Sequence, residues 1–299
     1  MRKSSTIAST NLLAYCMQRY GGKDWNDNND RITKLYRRLL PLSEEERDLI
    51  FTLTDDFEYC SLLDVNSHLH DAYDKIPKDL KDDAKKIIIA PLKDPIISKP
   101  KTIGDFTLVS KAKSPDLYFP MFRYSFSTTD MHYNKIDFCP DASSISSKYN
   151  DRTLLIMLDD FVGSGMTVSK IVSHLGYIFR EQNKQLRYKD IVILSAFAMN
   201  QGIVLLRSRH GIQCYANRIL QKGISSNENL NPTEKVHLLS VMQEIEHKVV
   251  PTVGYVNTLG YMQSEALVSI GDKCPNNTFP FYWYGNKKSE LQPIFPREK

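Results

Sequence analysis

The chain has 299 residues, 41% of them hydrophobic, so it is long enough to bury a full core as one large domain or as one domain with an extension. Its 39 lysines and arginines exceed its 35 acidic residues by four, a surplus too small to indicate nucleic-acid binding as the main activity. Every apolar run is well short of the roughly 20 residues that cross a bilayer, and no signal-peptide hydrophobic region opens the sequence. We therefore expect a cytoplasmic protein that does not bind a membrane.

The cysteines and histidines form neither a disulfide framework nor a zinc-binding pattern. The five cysteines are odd in number, widely spaced and without a CxxC pair. Of the seven histidines only His68 and His70 lie close together, and on a helix their side chains would not share a face. We predict no direct metal site on the protein.

Helical patterns occupy the first 84 residues. Ser43 followed by Glu46 forms a capping box, and apolar residues then recur at helical spacing as Leu49, Ile50, Leu53 and Phe57. A second helical pattern runs over residues 61–73. Residues 1–84 are therefore predicted to form an N-terminal helical extension.

Short apolar runs begin at Lys85 and alternate with helical segments. They are KKIIIAPL (85–92), LLIML (154–158), IVILSAFA (191–198) and IQCYA (212–216). Between the second and third runs, apolar residues from Val168 to Phe179 form a stripe that would cover one face of a sheet. This alternation predicts an α/β domain over residues 85–299, with a mostly parallel sheet flanked by helices.

The last third of the chain contains signals for one more helix and one more strand. Asn231, Pro232 and Glu234 predict the start of a helix that continues to about residue 247, and a short strand is predicted over 266–270. The segment CPNNTFPFYWYGNKK (274–288) is rich in aromatic and turn residues. We predict that it forms a hood-like closing segment.

The stretch LLIMLDDFVGSGMT (154–167) carries the strongest functional signal. Its apolar run leads into Asp159 and Asp160, and a glycine turn (163–165) precedes the next helix. Ligands of parallel sheets bind beyond the carboxyl ends of the strands, so both carboxylates should lie near such a crevice. The glycine turn lets backbone N–H groups converge at the positive end of the helix, where they would bind phosphate. A sugar phosphate fits both features, because its hydroxyls can donate to the carboxylates.

Two other interpretations of this stretch are weaker. A nucleotide-binding P-loop needs a lysine before its hydroxyl residue, whereas Met166 precedes Thr167 here. A nucleic-acid methyltransferase that uses S-adenosylmethionine is suggested by the likeness of DDFVGSGMT to the D-P-F-x-G-S-G-T turn of that family. The chain lacks the [DN]-P-P-[YFW] segment that holds the flipped base, so this class is kept only as a remote alternative.

The same stretch resembles the phosphoribosyl pyrophosphate (PRPP) motif of the type I phosphoribosyltransferases. The resemblance covers the apolar run, the acid pair, the glycine turn and the helix start, all in order. With CPNNTFPFYW and the helical N-terminal extension, the chain is similar over about residues 25–285 to the phosphoribosyltransferase-like proteins of bacterial conflict systems, which include antiphage operons and some retrons. The resemblance implies the type I phosphoribosyltransferase fold.

The resemblance implies roles for nine residues and for a metal ion. Asp159 and Asp160 would bind the ribose 2- and 3-hydroxyls and help to stabilise the oxocarbenium-like transition state as pyrophosphate leaves. The 5-phosphate would be held by the amides or hydroxyls of Phe161, Val162, Gly163, Ser164, Gly165, Met166 and Thr167. Mg²⁺ would bridge pyrophosphate and ribose hydroxyls with few direct protein ligands.

The remaining parts of the site are less defined. Purine-salvage enzymes of this type carry an acid at the position of Gly163, so purine salvage is doubtful for this chain. After the strand at 85–92, pyrophosphate binding is predicted for Lys93, Ser98 and Lys99, with a solvated lysine-rich loop as the alternative. Acceptor binding is predicted for Asn276, Asn277 and Trp283, with core packing as the alternative.

The functional hypothesis is a protein that binds PRPP or a related ribose 5-phosphate with Mg²⁺ and serves as an antiphage defence effector, acting on a nucleotide or nucleic-acid target. The alternatives are a non-catalytic sensor or scaffold that reads PRPP or nucleotide levels, and a pyrimidine-type salvage transferase. The resemblance also leaves open a defence-system partner, such as a reverse transcriptase with its nucleic acid, and an oligomeric assembly.

Overall fold

The computed structural model describes residues 9–25, 30–94, 114–126, 130–249, 258–271, 273–285 and 292–297. They belong to two compact units. The terminal unit combines Met1–Leu62 with Gln221–Lys299, and the sheet unit is Leu63–Leu220. The predicted boundary between residues 84 and 85 lies inside the sheet unit, because that unit already begins at Leu63. Residues 221–299, which were predicted to belong to the α/β domain, form one unit with the N-terminal helices.

The helices and strands follow one another in this order along the chain: α1 (Ser9–Tyr20), α2 (Asp30–Leu39), α3 (Glu44–Asp55), β1 (Glu58–Cys60), α4 (Leu62–Asp74), α5 (Lys78–Asp83), β2 (Lys86–Pro91), α6 (Ser114–Ser125), β3 (Ile136–Phe138), α7 (Ala142–Lys148), β4 (Thr153–Val162), α8 (Met166–Glu181), β5 (Ile191–Met199), α9 (Asn200–His210), β6 (Gln213–Leu220), α10 (Pro232–Val249), β7 (Val268–Ile270) and α11 (Pro280–Trp283). Within the described parts of the chain, no helix has the length and apolarity needed to span a bilayer.

Five parallel strands form the sheet of the sheet unit, in the order β3-β2-β4-β5-β6. The prediction of a mostly parallel sheet flanked by helices is therefore confirmed. Helices α8 and α9 cover one face, where Leu175 and Leu206 pack in a common core with Leu155 and Met157 of β4. Helix α6 packs against β2 and β4.

Strand β4 lies at the centre of the sheet, between β2 and β5. Its first part, 154–158, is apolar throughout because both faces of a central parallel strand are covered, and all five of these side chains are buried. The strand does not end there: it continues through the acid pair to Val162. Both aspartates therefore lie on the strand itself, near its carboxyl end.

The terminal unit has a core of its own, built from both ends of the chain. Side chains of α1, α2 and α3 pack there with those of α10 and α11. The buried Arg38 guanidinium donates hydrogen bonds to the backbone carbonyls of Phe281, Tyr284 and Gln292. One side chain of α2 thus binds two carbonyls of the closing segment and one carbonyl that follows it.

The local signals in the terminal unit are confirmed by the structure. Ser43 accepts the N–H of Glu46, whose carboxylate accepts the N–H of Ser43, so the capping box at α3 is complete. Asn231 and Glu234 form the same reciprocal bonds at α10. The strand predicted over 266–270 is β7, which pairs in parallel with β1 as a separate two-stranded sheet.

Candidate functional site

The acid pair lies at the carboxyl end of the central strand. Asp159 is in register with Ser195 of β5 and is half-buried, as is Asp160. The carboxylate Oδ1 of Asp159 accepts the backbone N–H of Asp160 at 3.0 Å. The two neighbouring carboxyl groups are therefore presented at the edge where parallel sheets bind their ligands.

The two carboxyl groups differ in their surroundings. Burial raises the pKa of the Asp160 carboxyl, and hydrogen bonds with Asp159 and with the Ser114 hydroxyl of α6 only partly offset this effect. Asp160 therefore holds a proton more readily than an ordinary aspartate does. A hydrogen-bond donor or a cation bound beside it would favour its ionised form.

The glycine turn joins β4 to α8 and leads directly into the first turn of that helix. Gly165 is the N-cap of α8 and has φ +79°, in the left-handed region that favours glycine. The Ser169 N–H donates to the Gly165 carbonyl at 2.9 Å and so begins the helical hydrogen-bond ladder. The N–H groups before it belong to the first turn, which has no intrahelical acceptors, and they lie at the positive end of the helix dipole.

Two hydroxyl groups accompany these amides. The Ser164 Oγ accepts the backbone N–H of Met166 at 3.4 Å, so its own hydrogen remains a donor. Thr167 is exposed in the first turn of α8. Residues 161–167 contain no lysine or arginine, so an anion at this turn would be bound by amide and hydroxyl groups.

Lys93 lies just past the carboxyl end of β2, the strand next to β4. Pro91 of β2 is in register with Leu158 of β4, and the Leu92 N–H donates to the Leu158 carbonyl at 2.8 Å. The Lys93 N–H donates to the Pro91 carbonyl at 2.9 Å, so the chain turns there. The Lys93 ammonium forms an ion pair with Asp116 of α6, and burial lowers its pKa. Ser98 and Lys99, the other two residues predicted to bind pyrophosphate, lie outside the described residues.

The residues predicted to bind an acceptor belong to the terminal unit. The buried Asn277 donates through Nδ2 to Ser264 Oγ at 2.7 Å and to the Tyr261 carbonyl at 3.3 Å. Trp283 donates through Nε1 to the Thr278 carbonyl at 2.7 Å, and the Arg297 guanidinium lies 5.4 Å from its ring centroid. The Asn276 carbonyl accepts the Tyr261 N–H at 2.7 Å. All three residues thus contribute to the internal structure of their unit, and their role in acceptor binding stays a prediction.

Two residues at the site were not identified from the sequence. Ser114 reaches Asp160 from the first turn of α6, which follows a long stretch without a predicted element. Gly202 of α9 packs its backbone against the glycine turn. The only available signal for Gly202 was an isolated glycine in a helical pattern directly after a strand, which is ambiguous by itself.

The donor set at the site is of the kind that Mg²⁺ prefers. Among the described residues, no group of three or more histidine, cysteine or acidic side chains is placed to hold a metal ion. Asp159 and Asp160 provide carboxylate oxygens, and Mg²⁺ commonly binds through one or two carboxylates, water and the oxygens of a phosphate ligand. These residues therefore fit an ion that is held partly by the ligand.

A family model and solved structures match the chain. The model of the PRTase-CE family matches residues 38–297. The crystal structure of orotate phosphoribosyltransferase from Aeropyrum pernix is 13% identical in sequence; the match covers 51% of this chain and 69% of that chain, with a TM-score of 0.28. No curated protein matches the chain significantly.

Proposed function

The chain belongs to the PRTase-CE family, which is of phosphoribosyltransferase type, and on that premise we propose that its sheet unit binds PRPP or a related ribose 5-phosphate. One observation carries the proposal: the acid pair and the glycine turn adjoin each other at the carboxyl end of the central strand. A ribose 5-phosphate has vicinal hydroxyls that can donate to carboxylates and a phosphate that needs N–H donors. Both needs are met within nine consecutive residues, 159–167.

Each residue of the stretch has a distinct task in this proposal. Asp159 accepts hydroxyl hydrogens of the ribose, and Asp160 accepts the second hydroxyl once the ligand has displaced water from its buried carboxyl group. The amides of the glycine turn and the first turn of α8 bind the 5-phosphate, with the hydroxyls of Ser164 and Thr167 as further donors. The Ser114 hydroxyl keeps Asp160 oriented from α6.

If transfer occurs, the acid pair also stabilises the transition state. Departure of pyrophosphate leaves positive charge on the ribose ring, and carboxylates placed before the reaction stabilise that charge without reorganisation. Mg²⁺, held by the ligand and by oxygens of Asp159 and Asp160 directly or through water, would offset the negative charge of the pyrophosphate. Lys93, just past the carboxyl end of the neighbouring strand, would contact the pyrophosphate.

The biological role that we propose is antiphage defence, with a nucleotide or nucleic-acid target. The resemblance to phosphoribosyltransferase-like proteins of bacterial conflict systems supports this role. Gly163, at the position of the acid of purine-salvage enzymes, argues against purine salvage. A non-catalytic sensor of PRPP or nucleotides is the second candidate. It is favoured by Asn277 and Trp283, two of the residues proposed for acceptor binding, whose side-chain N–H groups donate inside the terminal unit.

The first prediction is that the intact protein binds PRPP in isothermal titration calorimetry and binds it more tightly with Mg²⁺. Asp159→Asn with Asp160→Asn should weaken binding at least about a hundredfold, because two charge-assisted hydrogen bonds are lost. Asp151→Asn with Glu181→Gln changes the charge equally at two exposed positions of the sheet unit and should leave the affinity unchanged. The acid-pair variant should also lose protection in a phage plaque assay.

The outcomes separate the candidates. Absence of PRPP binding by the intact protein would contradict the whole proposal. Binding together with pyrophosphate release in the presence of a base, nucleotide or RNA pool identifies a transferase. Binding without pyrophosphate release from any of these pools favours the sensor.

A further inference from the structure

The glycine turn is in direct backbone contact with helix α9. Gly202 is the third residue of that helix and is buried. A Cβ atom on Gly202 would overlap the carbonyl oxygen of Gly163 and lie 3.2 Å from the amide nitrogen of Gly165. In the other direction, a Cβ on Gly165 would lie 3.0 Å from the Gly202 carbonyl oxygen. Two glycines that are 37 positions apart in the sequence thus allow two backbones to touch.

We propose that Gly202 is a positioning residue for phosphate binding. Because it has no side chain, the backbone of the glycine turn packs directly against it, and this contact orients the amides of the turn toward the ligand. The inference rests on the proposed function of the turn. It assigns a role to a residue that lies on another helix and does not touch the ligand.

The neighbours of Gly202 show why a side chain there would move the turn. Helix α9 begins directly after β5, whose Ala198 and Met199 are buried and paired with β6. Farther along the helix, Leu206 is buried in the core beneath the sheet face. The start of α9 is therefore held on two sides, so an added methyl group would displace the turn from the helix.

The added methyl group should weaken ligand binding more than it lowers the stability of the fold. Alanine is a better helix former than glycine, so the substitution itself favours α9. The methyl group would clash with the carbonyl of Gly163 and crowd the amide of Gly165, and both groups belong to the glycine turn proposed to bind phosphate. Hydrogen bonds to phosphate depend strongly on distance and direction, so a shift of about 1 Å is sufficient to weaken them.

The test compares Gly202→Ala with Gly176→Ala. Both residues are helical glycines, but a Cβ on Gly176 would meet the Tyr188 hydroxyl, at the flexible end of a side chain in another part of the sheet unit. We expect Gly202→Ala to weaken ribose 5-phosphate and PRPP binding at least about tenfold, and Gly176→Ala to change it less than twofold. Leu205→Ala, which removes the side chain packed beside Gly165, should weaken binding several-fold without adding any atom.

A spectroscopic measurement distinguishes a displaced turn from a damaged fold. In protein labelled with ¹⁵N-glycine, the amide signals of Gly163 and Gly165 should shift on titration with inorganic phosphate in the intact protein. In Gly202→Ala these two signals should start from new positions and respond weakly, while those of Gly176 and Gly211 stay in place.

The outcomes keep this inference separate from the proposed function. Equal affinities and equal shifts in the intact protein and Gly202→Ala would overturn the positioning role and leave ribose 5-phosphate binding intact. No response of either glycine signal in the intact protein would overturn both. Loss of dispersion in all glycine signals of Gly202→Ala, together with full affinity in Leu205→Ala, would also overturn the positioning role.

Discussion

At the scale of single residues, Asp159 and Asp160 show how neighbours in sequence differ in environment. Asp159 accepts a backbone N–H of its neighbour, whereas burial raises the pKa of Asp160 and the hydrogen bond with Ser114 of α6 offsets only part of this rise. The sequence could predict that both carboxyl groups lie at a strand end, because an apolar run precedes them. It could not predict that their surroundings differ, because the burial of Asp160 depends on the fold and Ser114 lies 46 positions earlier in the chain.

Ionisation of Glu246 of α10 should lower the free energy of unfolding. Its side chain is buried, its Oε2 accepts the Leu259 N–H at 2.8 Å, and no described residue hydrogen-bonds its Oε1. Burial raises the pKa from 4.5 to about 8, although the backbone N–H groups of Leu259 and Phe281 act in the opposite direction. The folded protein therefore binds a proton that the unfolded chain releases at lower pH.

The second prediction follows from the sign of this shift. Since the folded pKa is raised, the contribution of Glu246 to stability falls as pH rises from about 4.5 to about 8 and does not change with pH beyond that range. Glu246→Gln keeps the acceptor and removes the charge, so it should raise the free energy of unfolding at pH 8 by about 1 to 3 kcal/mol and change little at pH 4.5. Urea unfolding at both pH values measures this. The exposed Glu244→Gln is the control, and an equal gain at both pH values would contradict the assignment.

At the scale of secondary structure, the sequence predicts the strands that have a long apolar run. It does not predict features that arise from pairing with a neighbouring strand. Strands β2, β4 and β5 coincide with apolar runs because each is buried by the helices around it. Strand β6 lies at the edge of the sheet, is only partly buried and continues past the apolar run 212–216 to Leu220. Strand β3 has only three residues, one of them Asp137, and too few side chains to show a period. The extension of β4 through the acid pair arises from its pairing with β5, which continues to Val162.

The third prediction concerns the segment that follows β2. If Lys93 contacts pyrophosphate, Lys93→Met should weaken PRPP binding roughly tenfold or more, because a charge-assisted hydrogen bond is lost. Ribose 5-phosphate has no pyrophosphate, so its affinity should stay unchanged. Calorimetry with both ligands measures the difference, with the exposed Lys189→Met as the control. Equal weakening for the two ligands would show that Lys93 acts through the fold and not through pyrophosphate.

At the scale of the whole molecule, the terminal unit is discontinuous in sequence. Its two segments, Met1–Leu62 and Gln221–Lys299, are separated by the whole of the sheet unit. The sequence indicated an N-terminal helical part and an α/β part, since their patterns differ. It could not show that residues 221–299 belong with the N-terminal helices, because this assignment depends on contacts between distant segments, such as those of Arg38. No local pattern reports such contacts.

The fourth prediction tests whether the two units can be perturbed separately. Arg38→Met removes the hydrogen bonds that Arg38 donates to the backbone carbonyls at 281, 284 and 292, so it should destabilise the terminal unit by roughly 3 kcal/mol. PRPP affinity should stay within about twofold, because the proposed site lies in the sheet unit. Thermal unfolding and calorimetry measure both quantities, with the exposed Arg37→Met as the control. A parallel loss of affinity would show that the site depends on the terminal unit.

The discontinuous terminal unit also sets an order of events during synthesis on the ribosome. Residues 63–220 emerge as a continuous segment and can fold while translation continues. Helices α1, α2 and α3 emerge before the sheet unit, yet the carbonyls that Arg38 binds at 281, 284 and 292 emerge after it. These helices therefore become native only after the sheet unit has emerged, and their apolar side chains lack part of their core until then.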